Sequence, residues 1–150
     1  HRYALDRLVI VSAPDHSIAA LPEIKLGHAL DFDFVCMSRS SSNFLFLRDM
    51  AQKLGRPLRA RLHAHSFDAV LALVELGVGI ALVPRSVVLA TGLSKGLSMV
   101  PLAEDWSLRE LKLVVREDAR LPGFTQAFIQ FLLDDPQAAS TRDETQQAIG

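Results

Sequence analysis

The sequence predicts an α/β fold whose sheet contains parallel strand pairs. Apolar runs typical of buried strands occur at Leu8–Val11, Phe34–Met37 and Ile80–Val83. Segments with apolar residues at three- and four-residue spacing, typical of helices with one buried face, lie between the later runs. Because strands that alternate with helices are joined by crossovers, this order favours parallel pairing.

The second apolar run leads into a polar loop and then a helix. The polar cluster Ser38–Ser42 separates the strand from a helix predicted over residues 44–54. We expect Ser42 or Asn43 to cap the start of this helix and Gly55 to end it.

The same order of strand, loop and helix then repeats. Alternating apolar and polar residues over 58–64 predict a half-exposed strand. Ser66 is placed to cap a second helix with apolar residues at helical spacing over 70–74, and Gly77 is placed to end it.

Gly77 and Gly79 do not match a nucleotide-binding loop. A dinucleotide fingerprint has G-x-G-x-x-G between a strand and the start of a helix, where the glycines let backbone N–H groups reach a pyrophosphate. Here the order is helix, glycines, strand, and Leu82 stands where the third glycine would be. We therefore expect no nucleotide cofactor.

The remaining elements are shorter or less regular. Pro122 is placed in the first turn of a last helix, and the polar residues from Asp135 onward predict a disordered tail. The other expected elements are a short helix over Arg85–Ala90, strands over Leu97–Leu102 and Leu111–Val115, and a buried side of the last helix formed by Phe124, Phe128, Phe131 and Leu132.

Composition and charge narrow the class of protein. The chain has 150 residues, 49% of them hydrophobic, and a formal net charge of −1, so no overall basic field favours direct nucleic-acid binding. Cys36 is the only cysteine, which excludes an internal disulfide and fits a reducing compartment. No apolar run approaches the ~20 residues that span a bilayer, and the start resembles no signal peptide. We expect a cytoplasmic piece of a longer protein, since the sequence does not begin with methionine.

Several clusters of reactive residue types do not form a convincing catalytic or metal site. His63 and His65 share a strand face, but a closed zinc site needs further ligands that the sequence does not supply. Cys36 lies in an apolar strand, where a thiol is inert. We expect neither an enzyme nor a metal protein, and we interpret as solvated the acidic pairs Asp31/Asp33, Glu104/Asp105 and Asp134/Asp135.

The candidate binding site consists of two polar loops that precede predicted helices. Ligands of parallel α/β sheets bind beyond the carboxyl ends of strands, where helix N-termini present free N–H groups. Arg39 adds a positive charge there, which suits a small anion, although the serines also serve as helix caps and the sequence leaves both interpretations open. The candidate ligand-binding residues are Ser38, Arg39, Ser40, Ser41, Ser42, His65, Ser66 and Phe67.

Four blocks of the sequence resemble the effector-binding domain of LysR-type transcriptional regulators. The blocks occur in the order and at the spacing of that family, and the resemblance extends over Leu5–Leu133. They are LDRLVIVSAPDHSIA, SFDAVLALVELGVGIALVPRS, MVPLAEDWSLRELKLVVRED and LPGFTQAFIQFLLD. The block Ser66–Ser86 is fairly specific to the family. A mild departure is Ser17, where members usually have proline.

The resemblance implies a fold like that of type 2 periplasmic binding proteins, with the second effector subdomain nearly complete and the first partial. Residues 1–12 would be a crossover strand from the first subdomain, and 13–100 the second subdomain. Residues 101–134 would hold the return crossover, a strand and the last helix of the first subdomain, followed by the tail at 135–150. The family's winged helix-turn-helix, which binds DNA, and its linker helix, which dimerises, would lie outside this chain.

The resemblance also implies a function. The chain would be the sensing part of a transcriptional regulator that binds a small anionic metabolite in the cleft between its subdomains and contacts DNA only through the domain outside this chain. Ser38–Ser42 match the family's effector loop in the second subdomain, and His65–Phe67 are a second candidate. The full-length protein would be a dimer or tetramer. The alternative is a stand-alone solute-binding or transport protein of the same fold.

Overall fold

The structure is a computed structural model that describes residues 1–91, 96–116 and 120–148. Strands and helices alternate through most of this described part, and none of its helices is long and apolar enough to cross a bilayer. The elements are β1 (Arg2–Ser12), α1 (Leu26–Ala29), β2 (Phe34–Met37), α2 (Ser42–Lys53), β3 (Ala60–Ala64), α3 (Phe67–Glu75), β4 (Ala81–Pro84), α4 (Arg85–Ala90), β5 (Ser98–Pro101), β6 (Leu108–Lys112), α5 (Gly123–Leu133) and α6 (Pro136–Ala148).

The chain divides into two compact units. One unit is Arg7–Ser107, and the other combines His1–Asp6 with the segment that begins at Leu108. The larger unit holds both candidate loops.

Parallel pairing in the larger unit confirms the predicted class of fold. β2 and β3 run parallel, with Cys36 opposite His63 and Met37 opposite Ala64. A parallel bridge joins Phe34 to Ile80, just before β4, and it consists of two hydrogen bonds. The Val35 N–H donates to the Ile80 carbonyl at 2.8 Å, and the Ile80 N–H donates to the Asp33 carbonyl at 2.9 Å.

β1 joins the sheet as an antiparallel strand between β4 and β5. It pairs with β4 on one side and with β5 on the other, so the strand order is β3, β2, β4, β1, β5 once the Phe34–Ile80 bridge is included. Leu8 and Ile10 belong to one hydrophobic cluster, and Val9 and Val11 belong to another. Because successive side chains of a strand point to opposite faces, the sheet is buried on both sides.

Helices cover these two faces. Leu47 and Ala51 of α2 pack in the cluster of Leu8 and Ile10, whereas Val70 and Val74 of α3 pack in the opposite cluster. Both helices end as the sequence predicts, since Gly55 and Gly77 have φ of 64° and 80°. Such left-handed backbone favours glycine, which has no Cβ.

Two sequence-based predictions about element position need correction. The cap of α2 is Ser41, which accepts a hydrogen bond from the Phe44 N–H, and not Ser42 or Asn43. The strand predicted over Leu111–Val115 is β6, three residues earlier. Strands at Leu8–Val11, Phe34–Met37 and Leu97–Leu102 and the short helix at Arg85–Ala90 are confirmed.

The predicted buried side of α5 is wrong. Phe124, Phe128 and Phe131 are 78%, 59% and 72% exposed. Helical periodicity identifies an apolar stripe but not the surface that covers it. The strand residues of this unit, in β6 and at the start of β1, leave these rings uncovered.

The predicted disordered tail is also wrong over Pro136–Ala148, which form α6, and its last two positions, 149–150, lie outside the described residues. Ala138 is buried, and the Thr141 hydroxyl accepts a hydrogen bond from the Leu5 N–H of β1 at 2.9 Å. A polar composition did not reveal that a few small side chains anchor this helix. The acidic residues that the sequence pairs were expected to be solvated, and Glu104 is an exception. Its Oε1 accepts a hydrogen bond from the Leu26 N–H of α1 at 2.8 Å.

Gly79→Ala is expected to destabilise the protein by about 1–3 kcal/mol. A Cβ at residue 79 would meet the Asp33 carbonyl oxygen at 2.7 Å, beside the Phe34–Ile80 bridge. Urea denaturation measures the loss. Gly27→Ala is the matched control, because its Cβ meets nothing within 4 Å. Equal losses in the two variants would contradict this role of Gly79.

His16 lies in the turn after β1 as a hydrogen-bond acceptor. Its Nδ1 accepts the Ile18 N–H at 3.2 Å, and its ring stands edge-on to Phe32 with 4.9 Å between ring centroids. Burial lowers the pKa of His16 below its usual range, and the nearby Asp15 carboxylate offsets part of this effect. The folded protein therefore favours neutral His16.

This lowered pKa predicts a loss of stability on acidification. Below the ordinary histidine pKa of about 6.5, the unfolded chain binds a proton at His16 more readily than the folded chain does. The stability that neutral His16 contributes is therefore fully present above pH 6.5. It is lost as the pH falls from 6.5 towards the pKa of His16 in the folded protein. His16→Asn keeps an acceptor for Ile18 without titrating in this range. We expect the melting temperature of the wild type to fall more steeply than that of His16→Asn between pH 7.5 and pH 5, because this range spans the ordinary pKa of histidine. Parallel curves would show that His16 contributes nothing.

Candidate functional site

The carboxyl ends of three parallel strands meet at one edge of the larger unit. β2 ends at Met37, opposite Ala64 at the end of β3, and β4 ends at Pro84. Ser38–Ser42 and His65–Phe67 follow the first two strands directly. The structure therefore brings the two predicted loops to neighbouring positions at this edge.

The Ser38–Ser42 loop turns tightly into α2. The Ser41 N–H donates to the Ser38 carbonyl at 2.9 Å, and Ser41 Oγ accepts the Phe44 N–H at 3.1 Å. Arg39, Ser40 and Ser42 are exposed, whereas Ser38 and Ser41 are half-buried. Three of the five predicted residues thus present their side chains to solvent.

The first turn of α2 retains free hydrogen-bond donors. The first hydrogen bond within the helix runs from the Leu45 N–H to the Ser41 carbonyl at 3.0 Å. The N–H groups of Ser42 and Asn43 precede it, and helix starts leave such groups without an intrahelical partner. They are available to a ligand that accepts hydrogen bonds.

Asn43 has a positioning role that the sequence did not reveal. Its Nδ2 donates to the Leu82 carbonyl of β4 at 3.2 Å. This bond fixes the first turn of α2 to the neighbouring strand. From sequence alone, an asparagine after three serines indicates a helix cap. Only the contact with β4 shows that Asn43 instead holds the start of α2 in place.

The His65–Phe67 loop is less suited to an anion. Ser66 Oγ accepts the Ala69 N–H at 3.2 Å, which confirms the predicted cap of α3. Asp68 lies in the first turn, where its carboxylate opposes a bound anion. Phe67 packs against the hydrophobic cluster of α3, whereas His65 is exposed.

His63 is held by the strand beside it. Its Nδ1 lies 2.8 Å from the Met37 carbonyl, and since a carbonyl only accepts, we assign the proton to Nδ1. Its ring stands edge-on to Phe44 with 4.9 Å between centroids. Within the described ranges, His63 and His65 join no group of three potential metal ligands.

Cys36 is buried in β2, as predicted. Only 3% of the residue is exposed, and burial raises the pKa of its thiol to about 11. A thiol that stays protonated at neutral pH is a poor nucleophile. Cys36 therefore serves packing.

A groove between α2 and β3 was not predicted from the sequence. We call it the α2–β3 groove. Its volume is about 340 Å³, and it is lined by Arg39, Phe44, Arg48, Ala51, Gln52, Arg56, Pro57, Leu58, Ala60 and His63. The spacing of Phe44, Arg48 and Gln52, each four residues apart, is a sequence signal of one helix face. Arg56 continues this spacing but lies beyond the end of α2 at Lys53, and no such spacing links that face to His63.

Comparison with known proteins identifies the class of domain that this fold and edge define. The chain has the α/β fold of type 2 periplasmic binding proteins in the form used by regulatory domains. The family model described as "LysR substrate binding domain" matches residues 1–137. The chain belongs to the LysR substrate-binding domain family. No curated protein matches it.

Solved structures of LysR regulators have the same fold. The regulatory domain of CcmR from Synechocystis PCC6803, in complex with 2-PG, matches with a TM-score of 0.79 and 20% identity over 94% of this chain and 65% of that one. The effector-binding domain of QuiR, in complex with shikimate, matches with a TM-score of 0.72 and 20% identity over 88% of this chain and 62% of that one. Full-length CbnR, in complex with its target DNA, matches with a TM-score of 0.72 and 16% identity over 88% of this chain and 46% of that one. This chain spans less than two-thirds of each of these structures.

Ser41→Ala is expected to destabilise the protein by about 1 kcal/mol, because α2 loses its cap. Ser42→Ala is the matched control, since Ser42 is exposed and its effect should stay within about 0.5 kcal/mol. Thermal or urea denaturation measures both. A larger loss for Ser42→Ala would move the cap to the residue that the sequence favoured.

Proposed function

We propose that this chain is the effector-sensing part of a LysR-type transcriptional regulator and that a small anion binds at the Ser38–Ser42 loop. The observation that carries the proposal is the start of α2, where free N–H groups and Arg39 meet at the carboxyl edge of parallel strands. Within the described residues, Arg39 has no ion pair of its own. The first turn of α2 contains no acidic residue.

Charge distinguishes this loop from its neighbour. A helix N-terminus favours an anion by about 0.3–1 kcal/mol at an exposed site, and an arginine adds charge-assisted hydrogen bonds. At the start of α3, Asp68 opposes the same effect. We therefore assign the anionic group of the ligand to Ser38–Ser42 and leave His65 and Ser66 with contacts to its other end.

The solved relatives support a small molecule as the ligand. CcmR was solved in complex with 2-PG and QuiR in complex with shikimate, and both are regulatory or effector-binding domains. We propose that residues 13–100, which lie within the compact unit Arg7–Ser107, are the second effector subdomain and that the other unit belongs to the first. The role is sensory rather than catalytic, as in LysR substrate-binding domains generally.

The proposed mechanism is a population shift. A ligand that binds one conformation of the regulator more tightly than another raises the population of the first by its differential affinity. We propose that a dimeric or tetrameric, cytoplasmic full-length regulator transmits this shift to DNA through a domain outside this chain. The structure of full-length CbnR with its target DNA supports the part of this proposal that concerns DNA.

A screen of organic acids by thermal shift, followed by calorimetric titration, tests the site. We expect at least one acid to raise the melting temperature, and the double variant Arg39→Ala, Ser40→Ala to weaken its binding by about tenfold, which corresponds to about 1.4 kcal/mol. Lys53→Ala, at the other end of α2, is the matched control for loss of one positive charge. Unchanged affinity in the double variant would place the ligand elsewhere.

A further inference from the structure

The α2–β3 groove has the size of a small-molecule site. Its volume of about 340 Å³ lies at the lower end of the range for ligand pockets, roughly 300–1,000 Å³. One side comes from α2, and the other comes from β3 and the residues just before it. Arg39 lies where the groove meets the Ser38–Ser42 loop.

Positive charge is concentrated in the groove. Arg39, Arg48 and Arg56 line it together with His63, and none of the described lining residues is acidic. The chain as a whole has a formal net charge of −1, so this concentration is local. Asp49 and Asp31, which pair with Arg48 and Arg56, are not lining residues.

Two of the polar groups are held in place before any ligand arrives. Arg56 pairs with Asp31, and its Nη1 donates to the Gly27 carbonyl at 3.1 Å. His63 Nδ1 donates to the Met37 carbonyl at 2.8 Å, which fixes the orientation of the ring. Groups already fixed in position lose less conformational freedom on binding, and this favours affinity.

Apart from Gln52, the rest of the lining is apolar. Phe44 and Ala51 are already buried, whereas Pro57 is exposed and Leu58 is half-buried, so the apolar area that water reaches here comes mainly from Pro57 and Leu58. A ligand that consisted only of a charged group would leave these side chains in contact with water. An apolar or aromatic body would remove that area from water, worth roughly 25 cal/mol per Å².

We propose that the α2–β3 groove is a second ligand site, which binds a small molecule with a phosphate or carboxylate group on an apolar or aromatic body. The anionic group contacts Arg48 and Arg56, and the body packs on Pro57 and Leu58. The site is separate from the Ser38–Ser42 loop, although Arg39 adjoins both. It does not depend on the effector site proposed above.

Titration of the 150-residue chain with phenyl phosphate, followed by NMR of backbone amides, tests this site. We expect saturable shifts at α2 and β3. Arg48→Gln and Arg56→Gln should each weaken binding by about three- to tenfold, since each removes one charge-assisted contact at a partly exposed site. Lys53→Gln, with the same loss of charge on α2 but outside the groove, should bind as the wild type does. Thermal denaturation confirms that each variant is folded.

Two further probes separate the parts of the proposal. Inorganic phosphate should bind more weakly than phenyl phosphate, and equal affinity would exclude a role for the apolar lining. Benzyl alcohol should also bind more weakly, and equal affinity would exclude a role for the arginines. Saturable shifts confined to the amides of Ser38–Ser42 and retained in Arg48→Gln would assign the ligand to the effector loop instead.

The proposal is overturned if phenyl phosphate produces no saturable shifts at α2 and β3. It is also overturned if these amides shift only with protein concentration, because the groove would then be a contact between copies of the chain. Sedimentation at the same concentrations identifies that case.

Discussion

The parallel bridge between Phe34 and Ile80 is the constraint on which the larger unit depends. It joins the pair β2–β3 to β4, and β4 in turn pairs with β1, so it connects the two parts of the sheet. The approach is close, because a Cβ at residue 79 would lie 2.7 Å from the Asp33 carbonyl oxygen. Only glycine at position 79 avoids this contact. Gly79 therefore has a structural function that is unrelated to nucleotide binding.

The direction of these strands determines where the chemistry lies. Since β2, β3 and β4 run the same way, the starts of α2 and α3 fall at the same edge. Their surroundings differ, because Asp68 occupies the first turn of α3 while α2 follows an arginine and several hydroxyl groups. Two helix starts at a shared edge thus differ in their local charge, and the field that each presents depends on the charged side chains nearest to it.

The sequence predicted what depends on local pattern and missed what depends on distant contacts. Strand runs, the Ser66 cap and the helix ends at Gly55 and Gly77 follow from residue type and spacing. The sequence did not distinguish Ser41 from Ser42 as the cap, since that choice rests on the turn from Ser38 to Ser41. Exposure of the α5 phenylalanines and the order of α6 depend on which surfaces meet, and Glu104 caps α1 from 78 residues away.

In the candidate site, too, the sequence predicted the local features and missed those that depend on distant contacts. The site also explains why the net charge of a chain is a weak guide to its ligands. Both loops were located from sequence, because a loop between a strand and a helix is a local feature. The α2–β3 groove was not, since Arg39, Arg48 and Arg56 come from a loop, a helix and the segment after it. Asp31 and Asp49 balance two of these charges in the total, yet both carboxylates lie outside the lining. An anion in the groove would therefore meet a basic surface on a chain whose net charge is close to zero, because the field in a cleft depends on its nearest charges.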